Sequence, residues 1–239
     1  MLRSAVKRRP RVAAVNVPFP LNAKGRVKAE SHDQEPVSTK ERILLIAEGL
    51  FAEKGFEGTR TRDIAERAGI NISTLHFHWK CKEDLYIAVY QRLLMRRAKL
   101  ADETFAFLET TPTTTSQWEE ALHAVVEKLF AFFRLHKQAA RLETYWILEP
   151  HPLSAELAQS QAGPLLMSMA ERLRKVLPSE LSRQIDVELT ILTVNAILKQ
   201  YFANPETFGK FLGESHPKAL ENRVRRYMQQ MMMRLYNLL

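Results

Sequence analysis

Cysteine is almost missing from the chain: Cys81 is the only one in 239 residues. One thiol can build neither a disulfide framework nor a multi-thiolate zinc site, and it fits a reducing, cytoplasmic setting. Long apolar runs are missing too. None approaches the ~18 residues needed to span a bilayer, so no membrane partner is expected. Glycine (8) and proline (11) are sparse, which excludes a collagenous or low-complexity chain. The long stretches free of both favour helices. The usual marks of catalysis are also lacking: there is no Gly-rich phosphate loop, no nucleophile elbow and no His-x-x-x-His cluster. His76 and His78 lie two positions apart, about 200° round a helix, and cannot grip one metal. The expectation is therefore a protein without enzyme activity, metal or cofactor.

Hydrophobic residues make 46% of the chain and charged residues 26%, the balance of a globular body. The length suits one large domain or two small ones. The net charge of +8 is unevenly spread: residues 1–37 carry +5, residues 38–82 carry +2 and residues 83–239 carry +1. A basic excess gathered at one end suggests a polyanion reached from that side. Charge alone leaves nucleic acid, an acidic membrane surface and a merely solubilising tail all open.

Residues 1–37 read as a flexible basic tail. Pro10, Pro18, Pro20 and Pro36 break it, Lys7, Arg8, Arg9 and Arg11 cluster in it, and it has no helical apolar stripe. The apolar stretch from Val12 to Leu21 is interrupted by Asn16, Pro18 and Pro20, unlike the unbroken core of a signal peptide. An Arg-rich presequence, a DNA-gripping arm and plain disorder stay open for this segment.

From Ser38 the pattern changes. Ser38 and Glu41 form a capping box, and Ile43, Ile46, Ala47, Leu50 and Phe51 follow along one helical face. Gly55 ends that helix, with Phe56 placed for a C-cap contact. A second helix runs from Thr61 to Ala68, with Asp63 in its first turn. A third runs from Ile72 to Lys80 behind the N-cap Asn71. Longer helices are expected at about 83–108, 116–136, 141–148, 154–177, 180–203 and 217–239. Pro164 should kink or split the fourth of these. The fold class is all-α.

Two short helices joined by the turn Gly69-Ile70-Asn71 form a helix-turn-helix. On a helical wheel Ile72, Leu75 and Trp79 cluster within about 60° and face the core. Ser73, Thr74, His76 and Phe77 point elsewhere. An exposed Phe on so polar a helix is costly unless covered, and a thymine methyl in the major groove is a suitable cover. Arg60 and Arg62 start the second helix, Lys40 the first, and Lys82 precedes the fourth; each can neutralise a phosphate, and Arg62 can also reach a base. Any one of these cations alone is what a solvated helix face carries. Their joint placement around one compact tri-helix points to a DNA-binding domain over residues 38–82.

The segments Thr39-Lys-Glu-Arg-Ile-Leu44, Leu50-Phe-Ala-Glu-Lys-Gly-Phe-Glu-Gly-Thr59 and Thr61-Arg-Asp-Ile-Ala-Glu-Arg-Ala-Gly-Ile-Asn-Ile-Ser-Thr-Leu-His-Phe-His-Trp-Lys-Cys-Lys-Glu-Asp-Leu85 resemble the DNA-binding domain of the TetR/AcrR family of bacterial repressors. The likeness spans about a fifth of the chain. It implies a homodimer in which a helical domain, residues 83–239, binds a small molecule and releases double-stranded operator DNA of near-palindromic sequence. Carried over by position, Arg62, Ile72, Ser73, Thr74 and Phe77 lie near bases, and Thr39, Thr61, His76, His78 and Lys82 contact or flank phosphates. His76 stands where the family usually has Tyr, Trp79 where Phe is common, and Cys81 where a small or polar residue is usual. A protonated His76 would add charge and tighten binding at low pH.

In the larger domain, helix 180–203 carries two apolar stripes: Ile185, Leu189, Leu192 and Ala196, and Ile191, Val194, Leu198 and Tyr201. The last helix repeats the feature with Val224, Tyr227, Met228, Met231, Met232 and Leu235. Two such helices fit either the centre of a large core or a four-helix interface between two subunits. Aromatic residues crowd the middle helices. Phe105, Trp118, Phe130, Tyr145 and Trp146 are candidate pocket residues, with His123, Gln138, Arg141 and Glu143 as polar orienters. Two rival readings remain: a helical small-molecule carrier with a basic N-terminus, which has no use for the outward Ser73/Thr74/His76/Phe77 set, and a non-specific polyanion binder led by the tail.

Overall fold

A computed structural model describes residues 38–110, 114–148 and 156–235. The basic tail, Pro150-His151-Pro152 and the last residues of the chain lie outside the described residues. Among the described residues there is no strand, and eleven α-helices follow one another. They are α1 (Thr39–Lys54), α2 (Thr61–Arg67), α3 (Ile72–His78), α4 (Lys82–Thr110), α5 (Thr115–Leu135), α6 (Ala139–Leu148), α7 (Gly163–Val176), α8 (Ser179–Gln184), α9 (Val187–Ala203), α10 (Pro205–Leu212) and α11 (Pro217–Leu235). No helix among them is long and apolar enough to cross a membrane.

The N-terminal helices form where their caps dictate. The Ser38 hydroxyl accepts the Glu41 amide at 3.2 Å, which satisfies one of the orphan donors of α1. Gly55 closes α1, and Phe56 stacks on Phe51 behind it. Thr59 is buried in the next loop, its hydroxyl donating to the carbonyl of Gly55 at 2.7 Å. Gly69 ends α2 with φ 63°, a left-handed conformation that costs a Cβ-bearing residue strain. The Ile70 amide then reaches back to the Ala65 carbonyl at 3.1 Å, a Schellman-type closure. Asn71 accepts the Thr74 amide at 2.7 Å and starts α3.

Helix α3 is shorter than the sequence suggests. It stops at His78, and Trp79 is extended at φ −137°, ψ 121°. Leaving the helix lets the indole drop into the core with Leu75, and burying an aromatic ring outweighs the few backbone bonds that so short a helix would add.

Helix α4 joins the two halves. It packs on α1 at its start and on α5 and α7 further along, while α1 also touches α6. Buried apolar side chains form one continuous core from Ile43 on α1 to Met232 on α11, so residue 82 marks no gap between cores. Two ion pairs tie α1 to α4: Arg92 to Glu41, and Arg96 to Glu48, where one guanidinium nitrogen meets both carboxylate oxygens at 2.8 and 2.9 Å.

Three helix boundaries differ from the sequence reading. The expected helix at 154–177 is split, as Pro164 suggested: a π-helical turn at Ala158–Ala162 precedes α7, in whose first turn Pro164 sits. The expected helix 180–203 is two helices, because the Asp186 carboxylate accepts the Leu189 amide at 2.9 Å and starts α9 afresh. Helix α10 has no counterpart in the sequence reading, although its signals are ordinary: Asn204 caps Thr207 at 3.1 Å, Pro205 opens it, and Gly213 closes it at φ 63°.

Of the two stripes on α9, Ile191, Val194, Leu198 and Tyr201 are buried, whereas Leu189 and Leu192 are 59% and 46% exposed. On α11, Val224, Met228 and Met232 are buried and Tyr227 is exposed. Within one chain only one face of each helix is covered.

His136 caps the end of α5 edge-on to Phe132 at 4.8 Å. Burial, and then the nearby Arg96 cation, push its imidazole below the ordinary value of 6.5. The unfolded chain therefore takes up a proton more readily than the folded one, so folding stability is full above about pH 6.5 and falls as the pH drops below it. Urea titrations at pH 7.5 and 5.5 should show this loss, and His136→Phe should reduce it.

Candidate nucleic-acid interface

Helices α1 to α3 meet around Ile43, Leu50, Phe51, Ile64 and Leu75, all fully buried. That packing fixes which face of α3 looks out. Phe77 is 85% exposed, more than any other large apolar side chain among the described residues. Ser73 and His76 are exposed beside it, and His78 is half-buried with its ring edge-on to Phe77 at 5.3 Å. Thr74 is half-buried, and its hydroxyl donates to the Asn71 side chain at 2.8 Å. That bond leaves the hydroxyl's lone pairs and its methyl for a ligand. Ile72 is half-buried and packs on the core, so only part of its side chain faces the surface.

Arg60 and Arg62 are exposed at the start of α2, and Thr61 is half-buried between them. Thr39 is half-buried at the start of α1, and Lys40 is exposed with its ammonium 6.0 Å from the Trp79 ring. The Lys82 ammonium donates to the Phe56 carbonyl at 2.9 Å and lies 4.0 Å over the Phe56 ring, so it pins the start of α4 to the end of α1 and keeps two N–H donors for a phosphate. Cys81 is half-buried, and burial raises its thiol further from the thiolate form that reacts.

The second feature is a pair of adjoining cavities among the later helices. One, of about 90 Å³, lies between α4, α5, α7 and α9. The other, of about 320 Å³, is shared by α4, α6, α7 and α9. Phe105 and Trp118 line the first cavity and Trp146 the second, stacked on Tyr90 at 3.6 Å. The other pocket candidates are corrected by helical phase. On α5 the cavity face carries Trp118, Leu122, Val125 and Leu129; His123 lies a step round from Leu122 and is exposed. Phe130, a step from Leu129, is fully buried against Phe202. Tyr145 lines neither cavity, and Gln138 and Arg141 are exposed. Glu143 does line the second. The sequence reading missed Arg97 and Asn195, which line both cavities. A signal existed: each is a polar residue set inside an otherwise apolar stripe, Arg97 between Leu93, Leu94 and Ala101, and Asn195 beside Val194. Among the described residues no group of three or more His, Cys, Asp or Glu could hold a metal ion.

An all-helical chain with an N-terminal helix-turn-helix and a larger helical body is the architecture of a class of bacterial transcription factors. Residues 43–89 match the family model described as bacterial regulatory proteins, tetR family. The HTH-type transcriptional activator FasR of Mycolicibacterium smegmatis is 30% identical over 110 residues, 45% of this chain and 47% of that protein. The HTH-type transcriptional regulator RutR of Escherichia coli is 39% identical over 71 residues, 29% of this chain and 34% of that protein. The matched stretches thus span about half or less of these curated relatives. A TetR-like transcriptional regulator from Rhodococcus sp. RHA1 shares the fold, with a TM-score of 0.56 and 17% identity over 84% of this chain and 98% of that one. Both curated relatives are transcriptional regulators.

Proposed function

We propose that this chain is a sequence-specific DNA-binding transcriptional repressor that acts as a homodimer and leaves its operator when a small molecule occupies the helical body. The observation that carries the reading is the outward face of α3, where Phe77 stands 85% exposed between Ser73 and His76. An aromatic ring left in water on a rigid, capped helix is a cost that a base-edge contact removes. A small-molecule carrier gains nothing from it. Arg62, Ser73, Thr74 and Phe77 take the base-facing roles, with part of Ile72. Arg60, Thr39, Thr61, His76 and His78 take or flank the phosphate-facing roles.

The open stripes support the dimer. Leu189 and Leu192 on α9 and Tyr227 on α11 are apolar faces that one chain leaves uncovered. A two-fold pair would cover them and set two α3 helices for half-sites about one helical turn apart. The cavities beside α4 support the ligand step, since α4 carries Arg96, paired to Glu48 of α1, next to Arg97, which lines both cavities.

A gel-shift titration against the region upstream of the chain's own gene tests the reading. We expect a complex that survives excess competitor DNA. Its affinity should fall steeply with salt, by about one power of salt concentration for each phosphate contact. A shift that competitor DNA abolishes would leave only non-specific polyanion binding.

A further inference from the structure

The smaller cavity has a shape and a polarity that select a ligand. Along α4 its lining runs from Arg97 to Leu108, eleven steps and so about 16 Å of helix. About 90 Å³ spread along that lining leaves a narrow space. Its walls are apolar, with Phe105, Leu108 and Trp118 toward the end away from Arg97. Three of the four polar side chains on it are satisfied by their own helices: Thr104 donates to the Leu100 carbonyl at 2.7 Å, Thr190 to Asp186 at 2.8 Å, and the Asn195 amide to Ile191 at 2.8 Å.

Arg97 is the exception. Its side chain is only 12% exposed, and Nη1 is buried without a hydrogen-bond partner. Nη2 donates to Oδ1 of the Asn195 side chain, Nε lies 3.6 Å from Glu143, and the guanidinium stands 5.4 and 5.3 Å from the Phe132 and Phe133 rings. Glu143 is in turn 3.9 Å from Lys199. The cluster holds two cations against one carboxylate, a net +1, and Glu143 Oε1 is, like Arg97 Nη1, buried without a hydrogen-bond partner. A buried N–H left unpaired on a charged group is expensive, and a carboxylate oxygen relieves it with a charge-assisted bond. A cationic ligand would face repulsion, and a neutral one could answer the donor but not the charge.

Building on the reading of a repressor released by a small molecule, we infer that the effector is an unbranched, chain-like carboxylate of the fatty-acid type. Its carboxylate accepts from Arg97 Nη1 at the junction of the two cavities, and its alkyl tail runs along α4 toward Leu108. Met169 and Met232 on the wall are flexible enough to adjust to tail length.

The test uses the full chain without DNA. Decanoate, 1-decanol, decylamine and 2-naphthoate are compared, below their aggregation limits, by calorimetry and by thermal shift. Decanoate should bind one per chain, about tenfold or more tighter than the alcohol, with the amine and the compact naphthoate weaker still. Arg97→Gln should bring decanoate down to the level of the alcohol while leaving the alcohol unchanged. Ala101→Leu, which narrows the channel, should weaken decanoate more than hexanoate. Should that channel variant fail to fold, the wild-type ranking and Arg97→Gln decide. Equal or tighter binding of the alcohol, the amine or naphthoate overturns the inference, as does an acid preference that survives Arg97→Gln. Because DNA is absent, failure here leaves the DNA-binding reading standing; decanoate binding alongside a failed gel shift would instead point to a carrier.

Discussion

Arg62→Ala combined with Phe77→Ala should abolish specific operator binding while leaving the fold untouched. Both side chains are exposed, so neither truncation opens a cavity. Surface changes of this kind move stability by about 0.5 kcal/mol or less. Each lost base contact costs about 1–3 kcal/mol, so the pair should weaken specific binding by roughly 10²–10⁴-fold. Phe77 is a better partner for Arg62 in this experiment than Thr74, because the Thr74 hydroxyl is also bonded to the cap residue Asn71 and its removal would disturb the start of α3. Binding to unrelated DNA should change far less, since most cations of the surface remain. An unaltered footprint with a normal melting curve would remove α3 from the base-reading role.

The second large effect is expected inside the protein. Glu48 on α1 is 7% exposed, and both its oxygens meet one nitrogen of Arg96 on α4. Glu48→Ala strands a guanidinium that keeps only a fifth of its surface in water. Breaking such a buried pair costs about 3–5 kcal/mol, and the partial exposure of Arg96 places this case at the lower end. Arg92, which shares the same seam through Glu41, adds a like charge nearby; burial and then the Arg96 cation already pull its guanidinium below its usual value. Denaturant titration at fixed protein concentration reads the loss. The double replacement Glu48→Met with Arg96→Leu should recover most of it, because two apolar groups need no partner. If the single variant is as stable as the parent, the pair contributes nothing to holding α1 on α4.

Much of the candidate interface was readable in the chain itself. Ser38, Asn71 and Gly69 mark their caps and turn by chemistry that acts within three or four residues, and the structure uses all three as expected. The alternation that put Leu75 inside and Phe77 outside is a property of one helix at 100° per residue and needs no knowledge of neighbours. Where local signals competed, the reading failed. Asp186 sits inside an apolar periodicity that continues straight through it, and only its bond to the Leu189 amide shows that the cap prevailed. Lys82 looks like any basic residue at a helix start until the Phe56 carbonyl, 26 positions away, is found beneath its ammonium.

The amino-acid sequence by itself determined the three N-terminal helices, the turn between α2 and α3, and the side of α3 that faces outward, because caps, glycine dihedrals and helical phase are set by neighbours along the chain. The tertiary structure alone decided that Arg97 Nη1 would be left without a partner beside an apolar cavity, that Glu48 would close on Arg96, and that His123 and Phe130 would miss the cavity. Those outcomes depend on how α4, α5, α7 and α9 are laid against one another. A rotation of one helix by a single residue, about 100°, would exchange a lining side chain for a buried or a solvated one.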